Sequence, residues 1–184
     1  MSEVITPRAR LSFPSLFKAT KPKGAPAEQE PKFGATLLFD ENADLSKLKK
    51  AAKDAAAEKW GDNIPKDLRT PFRDQGEKDY DGYEDGCIFI TCTSKTRPSV
   101  VGPDKVTPVE EFEIYAGCYV HAAVRAFAYG GKGTGFRPGV SFGLQHIMKV
   151  ADGEPLDGRT KPEDAFSEIE TEVESTDEGD DIFG

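Results

Sequence analysis

A mostly β fold is predicted, with five strands closing into a small barrel and one helix between the second and third strands. Two observations carry this. Short segments of alternating polarity, bounded by Gly, Pro, Asn and Asp, dominate the chain as far as Pro162. Only one stretch has helical periodicity, and five strands in succession with so little helix suit a small closed sheet.

The first strand covers Arg8 to Lys18, with Arg8, Arg10 and Lys18 on one face and Leu11, Phe13 and Phe17 on the other. Thr20 to Pro31, with three prolines, reads as a loop or arm whose Lys21 and Lys23 can touch a phosphate backbone. The second strand is Lys32 to Asp40. A helix follows an Asp44 cap, aligns Leu45, Leu48, Ala52, Ala55 and Trp60, and stops at Gly61 with Pro65 beyond. Its Lys49, Lys50 and Lys53 form a solvated face. Gly61 to Gly86 is rich in turns. In the third strand, Cys87 to Lys95, Phe89, Thr91, Thr93 and Lys95 oppose Ile88, Ile90 and Cys92. The fourth runs from Phe112 to Tyr129. In the fifth, Gly139 to Val150, the expected core is Val140, Phe142, Leu144 and Met148, leaving Ser141, Gln145 and Lys149 outside.

The chain of 184 residues carries a formal charge of -9, unevenly spread. Up to Pro162 there are 24 basic and 23 acidic residues, whereas the last 22 hold ten carboxylates and no lysine or arginine. This divides the chain into a near-neutral domain, 1–162, and a disordered acidic tail, 163–184. Such a body can bind a polyanion while the tether imitates one. A plain solubilising tail is the alternative, but Ile182 and Phe183, after Asp180 and Asp181, are apolar side chains that solvation does not require. No run approaches 18 apolar residues and no signal pattern opens the chain, so a soluble protein is expected. Three cysteines suit a reducing cytoplasm. Cys87 and Cys92, five apart in a strand, face opposite sides and read as buried thiols rather than metal ligands.

The strand from Cys118 to Tyr129 holds the main candidate site. Its even positions, Cys118, Val120, Ala122, Val124, Ala126 and Ala128, suit a barrel interior. Its odd positions place Tyr119, His121, Arg125, Phe127 and Tyr129 on the opposite face. Aromatic faces accept any stacked base for roughly 1–3 kcal/mol each, and arginine both neutralises phosphate and stacks. The alternative is a second core beneath another element, in which Arg125 would need a partner.

Other motifs carry less. Gly130 to Gly135 lacks the Gly-Lys-Ser/Thr order of a phosphate loop and leads to Pro138 and a strand, so it reads as a flexible hairpin loop carrying Lys132 and Arg137. The carboxylates from Asp74 to Asp85 lack the closing glutamate of a calcium loop and read as a solvated turn. His121 and His146 have no triad or zinc spacing around them.

In order, Phe72-Arg73-Asp74, Gly82-Tyr83 and Gly86, Tyr115 to Val120, Ala128-Tyr129 with Gly131-Lys132-Gly133, Asp152 to Leu156 and Asp164 to Phe166 resemble a pattern in phage single-stranded-DNA-binding proteins related to those of T7-like podoviruses. The resemblance spans nearly the whole chain. It implies an oligonucleotide/oligosaccharide-binding (OB) fold, a five-stranded Greek-key barrel, together with frequent homodimerisation and an acidic tail that contacts replication proteins. Two departures fall in loops: a glycine is expected soon after Arg73-Asp74 and Gln75 intervenes, and the loop after Tyr129 is extended by Thr134 to Pro138.

The combined expectation is a non-enzymatic protein, without cofactor or membrane partner, that coats single-stranded DNA during phage replication and recombination in the bacterial cytoplasm. Tyr119, Phe127 and Tyr129 would stack bases, with Phe89 as a further candidate. Arg8, Arg10, Arg73, Lys95, Arg97, Arg125, Lys132 and Arg137 would meet phosphates, and His121 shares the strand's outer face. DNA would expel the tail from the same groove, freeing Asp180, Asp181, Ile182 and Phe183 for a polymerase or helicase. Two rivals stay open at this point: a DNA-mimicking inhibitor, and a metal-dependent nuclease built on the Asp74 to Asp85 cluster.

Overall fold

A computed structural model of the chain describes residues 3–156, 158 and 162–169. Its strands are β1 (Val4–Ile5), β2 (Ala9–Thr20), β3 (Lys32–Leu38), β4 (Arg73–Asp74), β5 (Ile88–Ser94), β6 (Ser99–Val101), β7 (Tyr119–Tyr129) and β8 (Gly139–Ala151). The five long strands form a ladder that returns on itself. β2 pairs with β3, β3 with β5, β7 with β8 and β7 with β2, all antiparallel, and β5 with β8 in parallel. β1 extends the β2 edge along β7, with buried Thr6 joining the two stretches through hydrogen bonds to both backbone groups of Ala122.

Period-two burial explains most of the ring. Leu11, Leu37, Ile90, Cys92, Val120, Val124, Phe142 and Leu144 point inward and are almost fully buried. Each such side chain contributes roughly 1.5–3 kcal/mol over an exposed one. The helix α1 (Ser46–Trp60) lies between the second and third long strands as expected and closes the core with Leu48, Ala52, Ala55 and Ala56. The Asp44 side chain accepts a hydrogen bond from the Ser46 N–H, and hydrogen bonding to the Ser46 hydroxyl first, then to this N–H, holds its carboxyl below the usual range, but the cap position itself belongs to Leu45. Gly61 ends the helix at φ 58°. No helix among the described residues is long and apolar enough to cross a membrane.

Three expectations are corrected. The fourth strand starts at Tyr119 and not at Phe112, which sits in a short 3-10 turn and is 83% exposed. In β2 the register shifts between Ser12 and Ser15, so Leu16 enters the core and Phe13 turns outward with φ 43°. A second shift between Ala123 and Val124 on β7, opposite residues 144–146 of β8, puts Ile147 in the core in place of Met148. Both shifts are bulges, and one extra residue reverses the alternation beyond it. The first residues of the expected tail form a helical turn, α2 (Pro162–Ala165). Asp180, Asp181, Ile182 and Phe183 lie outside the described residues.

Candidate nucleic-acid interface

Register places the outward residues of successive strands side by side. Ser15 pairs with Gly34, Gly34 with Thr93, Thr93 with Gly143 and Gly143 with Arg125, which gives a band of small side chains ending at an exposed arginine. Further along the same strands, Ser12 pairs with Thr36 and Thr36 with Thr91, Ser12 and Thr36 being buried under this face, and Ser141 pairs with Phe127. The floor is therefore low and rich in hydroxyls. Gly34 keeps it low, because a Cβ there would stand 2.6 Å from the Cys92 carbonyl oxygen.

Phe13 rises from this floor as a ridge between two clefts. One, about 850 Å3, runs along residues 12–18 of β2 toward Tyr80, Tyr83, Ile114, Tyr115 and Leu156. The other, about 470 Å3, lies over β3 and β5 between Phe13, Lys21, Lys32, Phe33, Thr91 and Thr93. Phe13 is 59% exposed and Tyr80 50%, and their rings meet edge to face at 5.1 Å. Tyr80 rests on Tyr83 at 5.3 Å and Tyr83 on Phe89 at 6.0 Å, a stack running from the surface into the fold. Burial pushes the Tyr83 phenol up, opposed by its 2.9 Å hydrogen bond to the Ser12 hydroxyl. Two rings are thus presented and two support them.

Charge distinguishes the clefts. Asp79, Asp81 and Glu111 line the larger against a single Lys18, whereas the smaller has Lys21 and Lys32 against Glu30. Lys95 is exposed just beyond β5, and the Arg97 guanidinium lies 5.0 Å from the Phe17 ring. A polyanion is favoured along the β3–β5 side of Phe13.

The loop behind Tyr80 hangs on Gln75, whose side chain is almost fully buried. Its amide nitrogen donates to the carbonyls of Phe39 and Ile88 at 2.8 and 2.9 Å, and its amide oxygen accepts from the Glu84 N–H at 2.9 Å. A glycine could make none of these bonds, and the expected glycine follows as Gly76. Asp74 accepts from the N–H groups of Gly76 and Gly86, so the carboxylate cluster shapes this loop. Among the described residues no group of His, Cys, Asp and Glu is arranged to hold a metal ion. All three cysteines are free and buried, and burial pushes the Cys92 thiol up to about 12.

The residues singled out in the sequence do not form one platform. Arg125 is exposed beside half-buried Phe127 and Tyr129, whose rings are 6.2 Å apart, and the Tyr129 ring lies over Gly139. Tyr119 stands ten residues back on β7 with the Arg8 guanidinium 4.1 Å over its ring. His121 bonds through Nδ1 to the Thr6 carbonyl at 2.8 Å. Phe89 is only 3% exposed beneath Tyr83 and the Arg73 guanidinium, which removes it as a stacking surface. Several cations already have partners. Arg10 donates to the carbonyls of Gly117 and Glu154, Arg73 pairs with Glu77 at 2.7 Å, and Arg137 donates to the Asp67 carbonyl. Lys132 is exposed in the loop between β7 and β8. Sequence reasoning missed Phe13 and Tyr80. For Phe13 a signal existed: Pro14 cannot donate to a ladder, and a proline inside a strand marks a bulge. Tyr80 sits in a loop with no periodicity to read.

The closed ring and its open face define a class, a β domain whose outer surface presents rings, hydroxyls and cations together. Comparison with known proteins makes the class specific. Residues 2–180 match the family model described as Enterobacter phage Enc34, ssDNA-binding protein, and the chain belongs to that family. It is 30% identical over 162 residues to putative protein p50 of Acyrthosiphon pisum secondary endosymbiont phage 1, covering 81% of this chain and 83% of that protein. Among solved structures it is similar to the single-stranded DNA-binding protein from bacteriophage Enc34 in complex with ssDNA, with a TM-score of 0.66 at 21% identity over 83% of this chain and 88% of that one. It is also similar to gp2.5, a single-stranded DNA binding protein encoded by bacteriophage T7, with a TM-score of 0.60 at 15% identity over 92% and 96%.

Proposed function

We propose that this chain is a single-stranded-DNA-binding protein with an OB barrel, and that the strand runs over β3 and β5 beside Phe13. The observation that carries the reading is the pairing of family membership with the Phe13 ridge, where an exposed ring stands over a hydroxyl floor beside Lys21 and Lys32. Phe13 and Tyr80 stack bases, Lys95 and Arg97 meet phosphates, and Arg125, Phe127 and Tyr129 extend the path along β7. Stacking tolerates any base, so the protein coats DNA without sequence preference. Its role is to cover strands exposed during phage replication and recombination in the host cytoplasm, as a binder and not a catalyst, and as a homodimer.

The acidic tail competes with DNA for the cationic side of this face. Its last residues, Asp180, Asp181, Ile182 and Phe183, recruit a replication protein such as a polymerase or helicase once DNA displaces them. Both ligands depend on ion release, so competition is strongest at low salt.

A salt titration of affinity for single-stranded and double-stranded oligonucleotides, with the full chain and with residues 163–184 removed, tests both parts. A steep response favouring single strands is expected, with tighter binding after truncation at low salt. Equal affinity for duplex would overturn the assignment, and an unchanged affinity after truncation would overturn the competition.

A further inference from the structure

The loop between β7 and β8 was expected to be flexible, and its hydrogen bonds make it a fixed turn. The Gly131 N–H donates to the Phe136 carbonyl, the Thr134 hydroxyl donates to the Gly131 carbonyl at 2.7 Å, and the Phe136 N–H donates back to that hydroxyl. The turn is also anchored from outside. The Arg137 Nε–H donates to the Asp67 carbonyl, the Arg69 N–H to the Pro138 carbonyl, and Gly131 packs so closely on Trp60 that a Cβ would stand 3.2 Å from its indole nitrogen. On this support Phe136 is 74% exposed, between Lys132 and Arg137. A well-bonded turn holding a phenyl ring in water contributes nothing to the core, and the fixed backbone beneath the ring lowers the ordering cost when something stacks on it.

We propose that Phe136 is a second base-stacking post, separate from the Phe13 ridge, whose ligand is an unpaired base at the far end of the bound strand. The inference rests on the single-strand reading above. Its position follows from the register. From Gly34 the band crosses β5 and β8 to Arg125 in three strand steps, about 15 Å, and β7 then leads through Phe127 and Tyr129 to the turn, roughly another 13 Å. A strand that fills only the cleft at Phe13 cannot reach Phe136, whereas a longer one can. The post therefore sets the length of DNA that one molecule covers.

The test compares the full chain with Phe136→Ala on oligodeoxythymidylates of about 5 and about 15 nucleotides, near the two ends of the range of site sizes of single OB domains. Phe136→Ala is expected to weaken the longer oligonucleotide roughly tenfold, one stacking increment, and to leave the shorter unchanged. Phe136→Trp keeps the longer-strand affinity. Thr134→Ala, which loosens the turn and keeps the ring, gives part of the loss. Equal binding of the longer strand by the wild-type chain and Phe136→Ala overturns the proposal, as does an equal loss on both lengths. If the wild-type chain binds neither oligonucleotide, the single-strand reading itself fails; binding that is indifferent to Phe136 removes only the post.

Discussion

The outer face of β7 and the ridge at Phe13 are built from the same residue types, yet they differ in what remains free. On β7, Tyr119 is capped by Arg8, His121 is bonded to Thr6, Tyr129 lies over Gly139, and Phe127 is half-buried. At the ridge, Phe13 and Tyr80 are more than half or half exposed and are propped from below by Tyr83 and Phe89. Aromatic content therefore does not define a stacking site. A ring can take a base only where its face is open, and the ridge leaves its rings more open than the strand does.

The largest effect expected from this contrast is on DNA affinity. Removing both rings of the ridge, Phe13→Ala with Tyr80→Ala, should cost about 2–6 kcal/mol of single-strand binding, measured by fluorescence anisotropy at one fixed salt concentration. Phe127→Ala with Tyr129→Ala should cost less than half as much, and the reverse ranking would restore β7 as the main platform. Next comes the prop itself. Gln75→Ala strands two carbonyls and one N–H that the side chain now satisfies, so urea unfolding should show a loss of about 2–4 kcal/mol. DNA affinity should fall with it as the Tyr80 loop loosens; stability lost without affinity would separate the loop from the ridge.

A smaller effect separates committed from available cations. Arg97→Ala should lower the salt slope of DNA binding by about one, whereas Arg10→Ala should leave the slope unchanged and cost about 1–3 kcal/mol of stability. Measuring slope and unfolding on the same two variants checks both. The last effect comes from the interior and is confined to alkaline pH. The buried Cys92 thiol ionises only near 12 in the fold, against an ordinary value near 9. Above about pH 9 the unfolded chain gives up this proton and the folded chain keeps it, so stability declines as pH rises from 9 toward 12. Cys92→Ala should flatten that decline, measured by urea unfolding across the range.

The inward residues of β5 and β7, the position of α1 and its stop at Gly61 were legible in the sequence, because burial repeats with the period of each element and needs no knowledge of its neighbours. The first half of β2 and of β8 was legible for the same reason. Beyond Ser12 and Leu144 the alternation failed, because each bulge adds a residue whose effect depends on the paired strand. Period-two sorting consequently groups Phe13 with Leu11 and Phe17 on one face, and the ridge is not visible in it.

Sequence alone determined the near-neutral body, the acidic end, the apolar face of each regular strand and the likeness to phage single-strand binders. Tertiary structure decided which rings and cations stay available. Arg10 finds its carbonyl partners 107 and 144 residues away, and Phe89 is sealed by a loop held through Gln75. The physical reason is that periodicity reports local burial, whereas an open ring or a free guanidinium depends on what distant backbone brings beside it.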